Sequence, residues 1–283
     1  MYIGFDIGGS SIKAVLVAKD KIIGTRYERL PKNFNQLVDT IVNIKNDLVA
    51  PLGSSKIEGI GFSIAGPLDK KREKVLNSFN IPFLNKKPFY QIFKKKFSPC
   101  PVIIEHDVHC FLLAESKIGA AKKYRNIFYL ALGTGIGGAF MVDQKIIMGS
   151  HGSAGEVGHT IVNFNKGTRW EEIAANKLIR KELKIYFSQA KQLALGGNKK
   201  AIKVFEELGK NLGIGIANII NSFDPEAVII SGGLASAKNL IFPGIKEGVE
   251  KYVVSMEARK TKIIFSKLGR FGGALGAAFL FEK

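Results

Sequence analysis

The sequence predicts an α/β protein built from two related halves, and three observations carry that prediction. A strand, a glycine-rich turn and a second strand open the chain in "YIGFDIGGSSIKAVLV", residues 2–17. The same unit returns in "NIFYLALGTGIGGAFMVDQKIIMG", residues 126–149, and each copy leads through a short polar turn into a third strand beginning Lys-Ile-Ile. Elsewhere, segments of helical periodicity alternate with short apolar runs, the pattern of layered α/β folds. Self-similarity at roughly half the chain length indicates two lobes rather than a solenoid.

The elements follow in order. Ile3, Phe5 and Ile7 alternate with smaller or polar residues, a Gly8-Gly9-Ser10-Ser11 turn intervenes, and Ile12, Ala14, Leu16 and Val17 resume an extended pattern, which reads as a β-hairpin. "FNQLVDTIVNIKNDLV" places Phe34, Leu37, Val38, Ile41, Ile44 and Leu48 at helical spacing. "KIEGIGFSIAGPLD" reads as a buried strand running into a Gly66-Pro67 turn. "CPVIIEHD" is a further strand, and "VHCFLLAESKIG" a helix ending near Gly119. In the second half a helix spans about residues 199–221, by the same spacing. An Asp224-Pro225 break, the strand "AVIIS", the pair Gly232-Gly233, the strand "KIIFSKL" and a small-residue helix "GGALGAAFLF" complete the chain. No linker or low-complexity stretch interrupts this. Lobes are expected over 1–118 and 119–283, abutting across a cleft, with the closing helix able to pack back on the first.

A length of 283 residues suits two lobes of this kind. No apolar run reaches the roughly 18 residues of a membrane span. The N-terminus enters a strand without a secretory pattern, and Cys100 and Cys110 form no paired framework. A cytoplasmic protein with no membrane partner is the expectation. Lys plus Arg number 42 against 24 Asp plus Glu, giving +18, a field that draws anions. The lysines are scattered in short clusters without interleaved aromatics, so a solvated surface is expected rather than a specific nucleic-acid footprint.

Asp6, just before a turn of glycines and hydroxyls, points to chemistry. Glycine turns let backbone N–H groups converge on phosphate oxygens without Cβ obstruction. Two such hairpins can grip one polyphosphate from both sides. The competing structural roles are a turn-capping aspartate at Asp6 and an ordinary strand-to-helix turn at Gly232-Gly233.

Four motifs in order resemble the ROK family (repressors, uncharacterised frames and sugar kinases) of the actin-like ATPase superfamily, over essentially the whole chain. "IGFDIGGSSIKAVLV" looks like its first phosphate loop and "LGTGIGGAFMVDQKIIMGSHGSAGEVGH" like the second loop with the family signature. "VIISGGLA" resembles the adenosine motif and "FGGALGAA" the closing helix. The resemblance implies a two-lobed actin-like ATPase (ribonuclease H-like) fold with a central cleft, and ATP-dependent phosphorylation of a hexose or N-acetylhexosamine. It implies that Gly8, Gly9, Ser10 and Lys13 face one side of the ATP phosphates and Gly133, Thr134 and Gly135 the other. Asp6 would hold Mg²⁺ through water, and Gly232 and Gly233 would let adenosine lie against backbone. Asp107 in "IIEHDVH" matches the family's catalytic base, while a helix N-cap role is compatible with the same position. Asn80, His106, Glu156, His159 and Glu171 match positions that contact the sugar.

Two departures stand out. His106 occupies a position where the family usually has Asn, so substrate choice does not carry over. The stretch "HTIVNFNKGTRWEE" lacks the cysteines of the family's zinc loop, and no zinc is expected. Rival readings are a repressor, for which a phosphate loop starting at residue 3 leaves no room for a preceding DNA-reading helix, a catalytically weak or inactive sugar sensor, and a polyphosphate-using glucokinase. Similar proteins are often dimers, so a homodimer is the oligomer to test for.

Overall fold

The computed structural model describes residues 1–19, 21–53, 56–78 and 80–282. The chain forms two compact units, Met1–Lys122 with Met148–Ser153 and Lys267–Lys283, and Lys123–Ile147 with Ala154–Ser266.

The first unit opens with β1 (Tyr2–Ile7), β2 (Ser11–Ala18) and β3 (Lys21–Arg29), an antiparallel meander. Then come α1 (Phe34–Val49), β4 (Gly59–Ile64), α2 (Phe89–Phe97), β5 (Val102–His106) and α3 (Asp107–Lys117). The sheet order is β3-β2-β1-β4-β5, with β1, β4 and β5 parallel. Alternation along β1 turns Ile3, Phe5 and Ile7 to one face. There they join Ile12, Leu16 and Phe62 in a core closed by the apolar stripe of α1. Asn33 caps α1, its side chain accepting the Gln36 N–H at 3.0 Å, a bond typically worth about 1 kcal/mol.

The second unit repeats the plan. β6 (Ile127–Leu132), β7 (Ile136–Val142) and β8 (Lys145–Ile146) form the meander, and β9 (Ile161–Asn163) pairs with β10 (Thr168–Arg169) in a small ribbon. α4 (Trp170–Ala174), α5 (Asn176–Leu183), α6 (Phe187–Leu195), α7 (Lys199–Phe223), β11 (Ala227–Ser231), α8 (Lys238–Tyr252) and β12 (Lys262–Phe265) follow. The order β12-β11-β6-β7-β8, with β6, β11 and β12 parallel, has the connectivity of the first sheet. α7 stops where the sequence predicts: Asp224 takes a left-handed φ of 43° and Pro225 cannot continue the helix.

The chain then returns to the first unit as α9 (Gly272–Phe279). Its small residues explain the glycines beneath it. A Cβ on Gly4 would enter the Ala274 carbonyl, one on Gly61 the Ala277 carbonyl, and one on Gly276 the Cys110 carbonyl of α3. α9 therefore lies in backbone contact with both sheet and α3, and an added methyl there meets main chain that cannot yield. Overpacking of this kind costs about 1–3 kcal/mol or more. Among the described residues, no helix is long and apolar enough to cross a membrane.

Candidate active site

Ligands of open α/β sheets bind beyond the carboxyl ends of the parallel strands, and the predicted residues gather at those ends in each unit. In the first, the face of β1 opposite the apolar core carries Asp6, only 4 % exposed. Its Oδ2 accepts from Lys13 Nζ at 2.9 Å and its Oδ1 from Ser63 Oγ at 3.0 Å. Burial raises the Asp6 pKa, and the neighbouring Asp107 adds to this, while Lys13 and Ser63 counteract it. Lys13 Nζ also lies 3.9 Å from where a Cβ on Gly8 would stand. An ammonium thus sits between the buried carboxylate and the first glycine turn, which is closed by Gly8 N–H donating to Ser11 O at 3.0 Å. Gly9 and Ser10 are exposed, and a Cβ on Gly9 would meet Asn80 Cβ at 2.9 Å. The turn and Asn80 are therefore neighbours.

Asp107 is the first residue of α3, not its cap. The N-cap position falls to His106, whose side chain makes no capping bond. The Asp107 carboxylate is 32 % exposed, with Oδ1 3.6 Å from His106 Nδ1, and it accepts the N–H of Val108 at 2.8 Å. Residue 107 thereby keeps a partly solvated carboxylate at the end of β5.

In the second unit, Gly133 N–H donates to Gly135 O at 3.0 Å to close the second turn, and Thr134 is exposed at its tip. Glu171, in the first turn of α4, lies under this turn. Its Oε2 accepts Ile136 N–H at 3.4 Å and Lys177 Nζ approaches Oε1 at 2.5 Å. Burial pushes the Glu171 pKa up, but the Lys177 hydrogen bond and charge, with the Ile136 N–H, outweigh it and hold the carboxyl below its ordinary range. His159 and Glu156 are exposed and face each other at 3.8 Å, Nε2 to Oε2. Arg169 Nη1 lies 3.3 Å from His159 Nδ1. Because a guanidinium only donates, Nδ1 is the acceptor and the ring proton sits on Nε2, toward Glu156.

The glycines of these motifs divide into two kinds. A Cβ on Gly135 would meet the carboxylate end of the Glu171 side chain and displace it, and Gly232, at φ 90°, would drive one into Leu132 O. Gly133 and Gly233 have no atom within 4 Å of a built Cβ. Among the described residues, no packing contact demands glycine at those two positions.

Of the sugar-matching residues, Asn80, His106 and Asp107 lie in the first unit and Glu156, His159 and Glu171 in the second. Sequence reasoning missed Ser63, Arg72, Glu105, His109, Arg169 and Lys177. Glu105 and His109 flank Asp107 in "EHDVH" and carried a local signal, whereas Arg72 arrives from 33 residues away. Among the described residues, no three His, Cys, Asp or Glu side chains cluster as a metal site.

The ROK family model matches residues 2–283. The chain belongs to the ROK family. It is 31 % identical to an N-acetyl-D-glucosamine kinase of Vibrio parahaemolyticus, with 100 % of each chain covered. A xylose repressor of Bacillus spizizenii is 28 % identical, matching 97 % of this chain and 75 % of the repressor. The crystal structure of a ROK family glucokinase from Streptomyces griseus with glucose and AMPPNP superposes with a TM-score of 0.83 at 26 % identity, covering 99 % of this chain and 98 % of that one. This ROK chain thus has the α/β fold of the sugar kinases, the actin-like ATPase fold expected from its motifs, and both sugar kinases and repressors among its relatives.

Proposed function

We propose that the protein is an ATP-dependent kinase for a hexose or N-acetylhexosamine, with Asp107 as general base. The observation that carries this reading is the Asp107 carboxylate, partly solvated at the end of β5 and next along the chain from His106. The Asp6–Lys13 pair beside the first glycine turn adds to it. The kinship with an N-acetylglucosamine kinase and with a glucokinase that holds glucose and AMPPNP supports the substrate class.

Phosphoryl transfer asks the protein for positioning, charge neutralisation and removal of one proton. The N–H groups of the two turns and the Lys13 ammonium offer donors to the phosphates. Asp6 suits a water-mediated Mg²⁺ contact. A carboxylate has about four acceptor sites, two are taken by Lys13 and Ser63, and Mg²⁺ usually keeps waters and needs only one or two carboxylates beside phosphate. The metal's chemistry would be neutralisation of phosphate charge. Asn80, His106, Glu156, His159 and Glu171 offer amide, imidazole and carboxylate partners to paired hydroxyls. As the sugar oxygen bonds to the γ-phosphorus and the bond to the β-phosphate oxygen breaks, the hydroxyl proton passes to Asp107 and ADP leaves.

The test is a panel of hexoses and amino sugars, scored by sugar-dependent ADP release with polyphosphate as a parallel donor, on the wild type and on Asp107→Asn. A positioned base contributes about 10²–10⁴-fold, so kcat in the variant should fall by that order while both ligands still bind. Near-normal turnover would move the base elsewhere. Wild-type protein that binds sugar and nucleotide without turnover would favour a sensor related to the repressors.

A further inference from the structure

Glu105 and His109 are 2 % and 3 % exposed, yet the chemistry above uses neither. Buried carboxylates persist where they are paired and hydrogen-bonded, and Glu105 is held three ways. Its Oε1 accepts the His106 N–H at 2.8 Å and faces His109 Nδ1 at 2.9 Å, and its Oε2 meets Arg72 Nη1. Facing a carboxylate paired with Arg72, Nδ1 is the protonated nitrogen of the His109 ring. Arg72 comes from the segment after β4 and brings Nη2 to Met148 Sδ at 2.8 Å. Strand register continues the arrangement inward: Glu105 lies beside Ser63, Ser63 beside Asp6, and Asp6 opposite Lys13.

Asp107 stands between the two residues that Glu105 ties down. His106, before it, is held by its backbone N–H. His109, two residues after it, is held by its ring, which lies edge-on to the His106 ring at 5.6 Å. The corner needs such a tie, because α3 begins without a side-chain cap and the first N–H groups of a helix have no partner within it. Room for disorder also exists: a cavity of about 150 Å³ is lined by Arg72, Glu105, His106, His109 and Ser150. An untethered imidazole could turn into it.

We infer that Arg72, Glu105 and His109 form a positioning triad that fixes the β5–α3 corner and so the direction in which Asp107 points. Its catalytic consequence rests on the kinase reading, but its geometric content does not. A misplacement of about 1 Å far from the chemistry can cost about 10²-fold in rate. Glu105→Gln and His109→Leu should therefore lower kcat tenfold to a hundredfold, with the nucleotide KM within about twofold. His109→Asn, whose side-chain amide can donate from near the Nδ1 position, should recover most of that loss.

A second measurement needs no substrate. The Val108 N–H donates to Asp107 Oδ1, so its amide proton shift in NMR spectra of the full chain reports the carboxylate's place. The shift should move upfield in Glu105→Gln and His109→Leu and stay near wild type in His109→Asn. Arg72→Lys, at the half-exposed end of the triad, supplies the same readout should Glu105→Gln fail to fold. An unchanged Val108 shift in folded triad variants overturns the proposal whether or not the protein phosphorylates a sugar. A shift that moves as expected in a protein inactive on every sugar upholds the triad and refutes the kinase reading alone.

Discussion

Gly133→Ala separates a phosphate-binding turn from a merely tight one. Among the described residues, no atom beyond its chain neighbours lies within 4 Å of a Cβ built on Gly133, and its φ is not among the positive values that strain an L side chain. The folded chain should accept alanine without strain, and the lost freedom of the unfolded chain favours a gain of about 0.4–1 kcal/mol. If backbone N–H groups of this turn contact nucleotide phosphate, the new methyl occupies the path of approach. A tenfold loss of AMPPNP affinity, about 1.4 kcal/mol, is then the least expected from titration calorimetry, with sugar affinity unchanged. Gly135→Ala is the contrasting variant. Its Cβ would meet the end of the Glu171 side chain, so it should displace that carboxylate and, through Glu171, lower sugar affinity. AMPPNP affinity within twofold of wild type in folded Gly133→Ala would refute the assignment of this turn to phosphate.

Two further outcomes concern the sugar-matching residues. Glu171 has a depressed folded pKa, so its contribution to stability is present above the unfolded carboxyl value of about 4.3 and is lost as pH falls through the lower folded value. Glu171→Gln should be less stable at neutral pH and unfold with a shallower acid limb, and parallel limbs in the two proteins would contradict the pairing with Lys177. His106→Asn exchanges an imidazole for a smaller amide with two donors and two acceptor sites, and should reorder the sugars in the substrate panel. An unchanged order would show that His106 does not read the sugar.

The fold was legible where periodicity is local. The stripe of α1, the Asp224-Pro225 stop and both strand–turn–strand units stand where the spacing predicts them. The reason for Gly4, Gly61 and Gly276 was not legible, because each answers to a backbone carbonyl on an element distant in sequence. The site divides in the same way. Asp6 and its turn announce themselves within a few residues, but the partners of Asp6 on neighbouring strands depend on register, which shows Lys13 and Ser63 only once the sheet is paired. The N-cap alternative for Asp107 turns on a single residue. A one-residue difference in where α3 begins makes His106 the cap and leaves residue 107 its partly solvated carboxylate.

The repeat itself says which part of the site belongs to the scaffold. Ile7 pairs with Ile12 at the end of the first hairpin and Leu132 with Ile136 at the end of the second. One step back, Asp6 pairs with Lys13 in the first and Ala131 with Gly137 in the second. Across the parallel neighbour, Asp6 adjoins Ser63 and Ala131 adjoins Ser231. The hydroxyl is therefore common to both sheets, and so is the tight turn closed by a glycine N–H, while the carboxylate and ammonium occur in one. Backbone donors suit any phosphate and need no charge of their own. A buried ion pair is costly to desolvate, and such a pair persists more readily where function requires it than where it only packs. On the proposed kinase reading, the hairpin with Asp6 and Lys13 would therefore be the one to orient a metal-bound phosphate, and its twin would offer backbone donors alone.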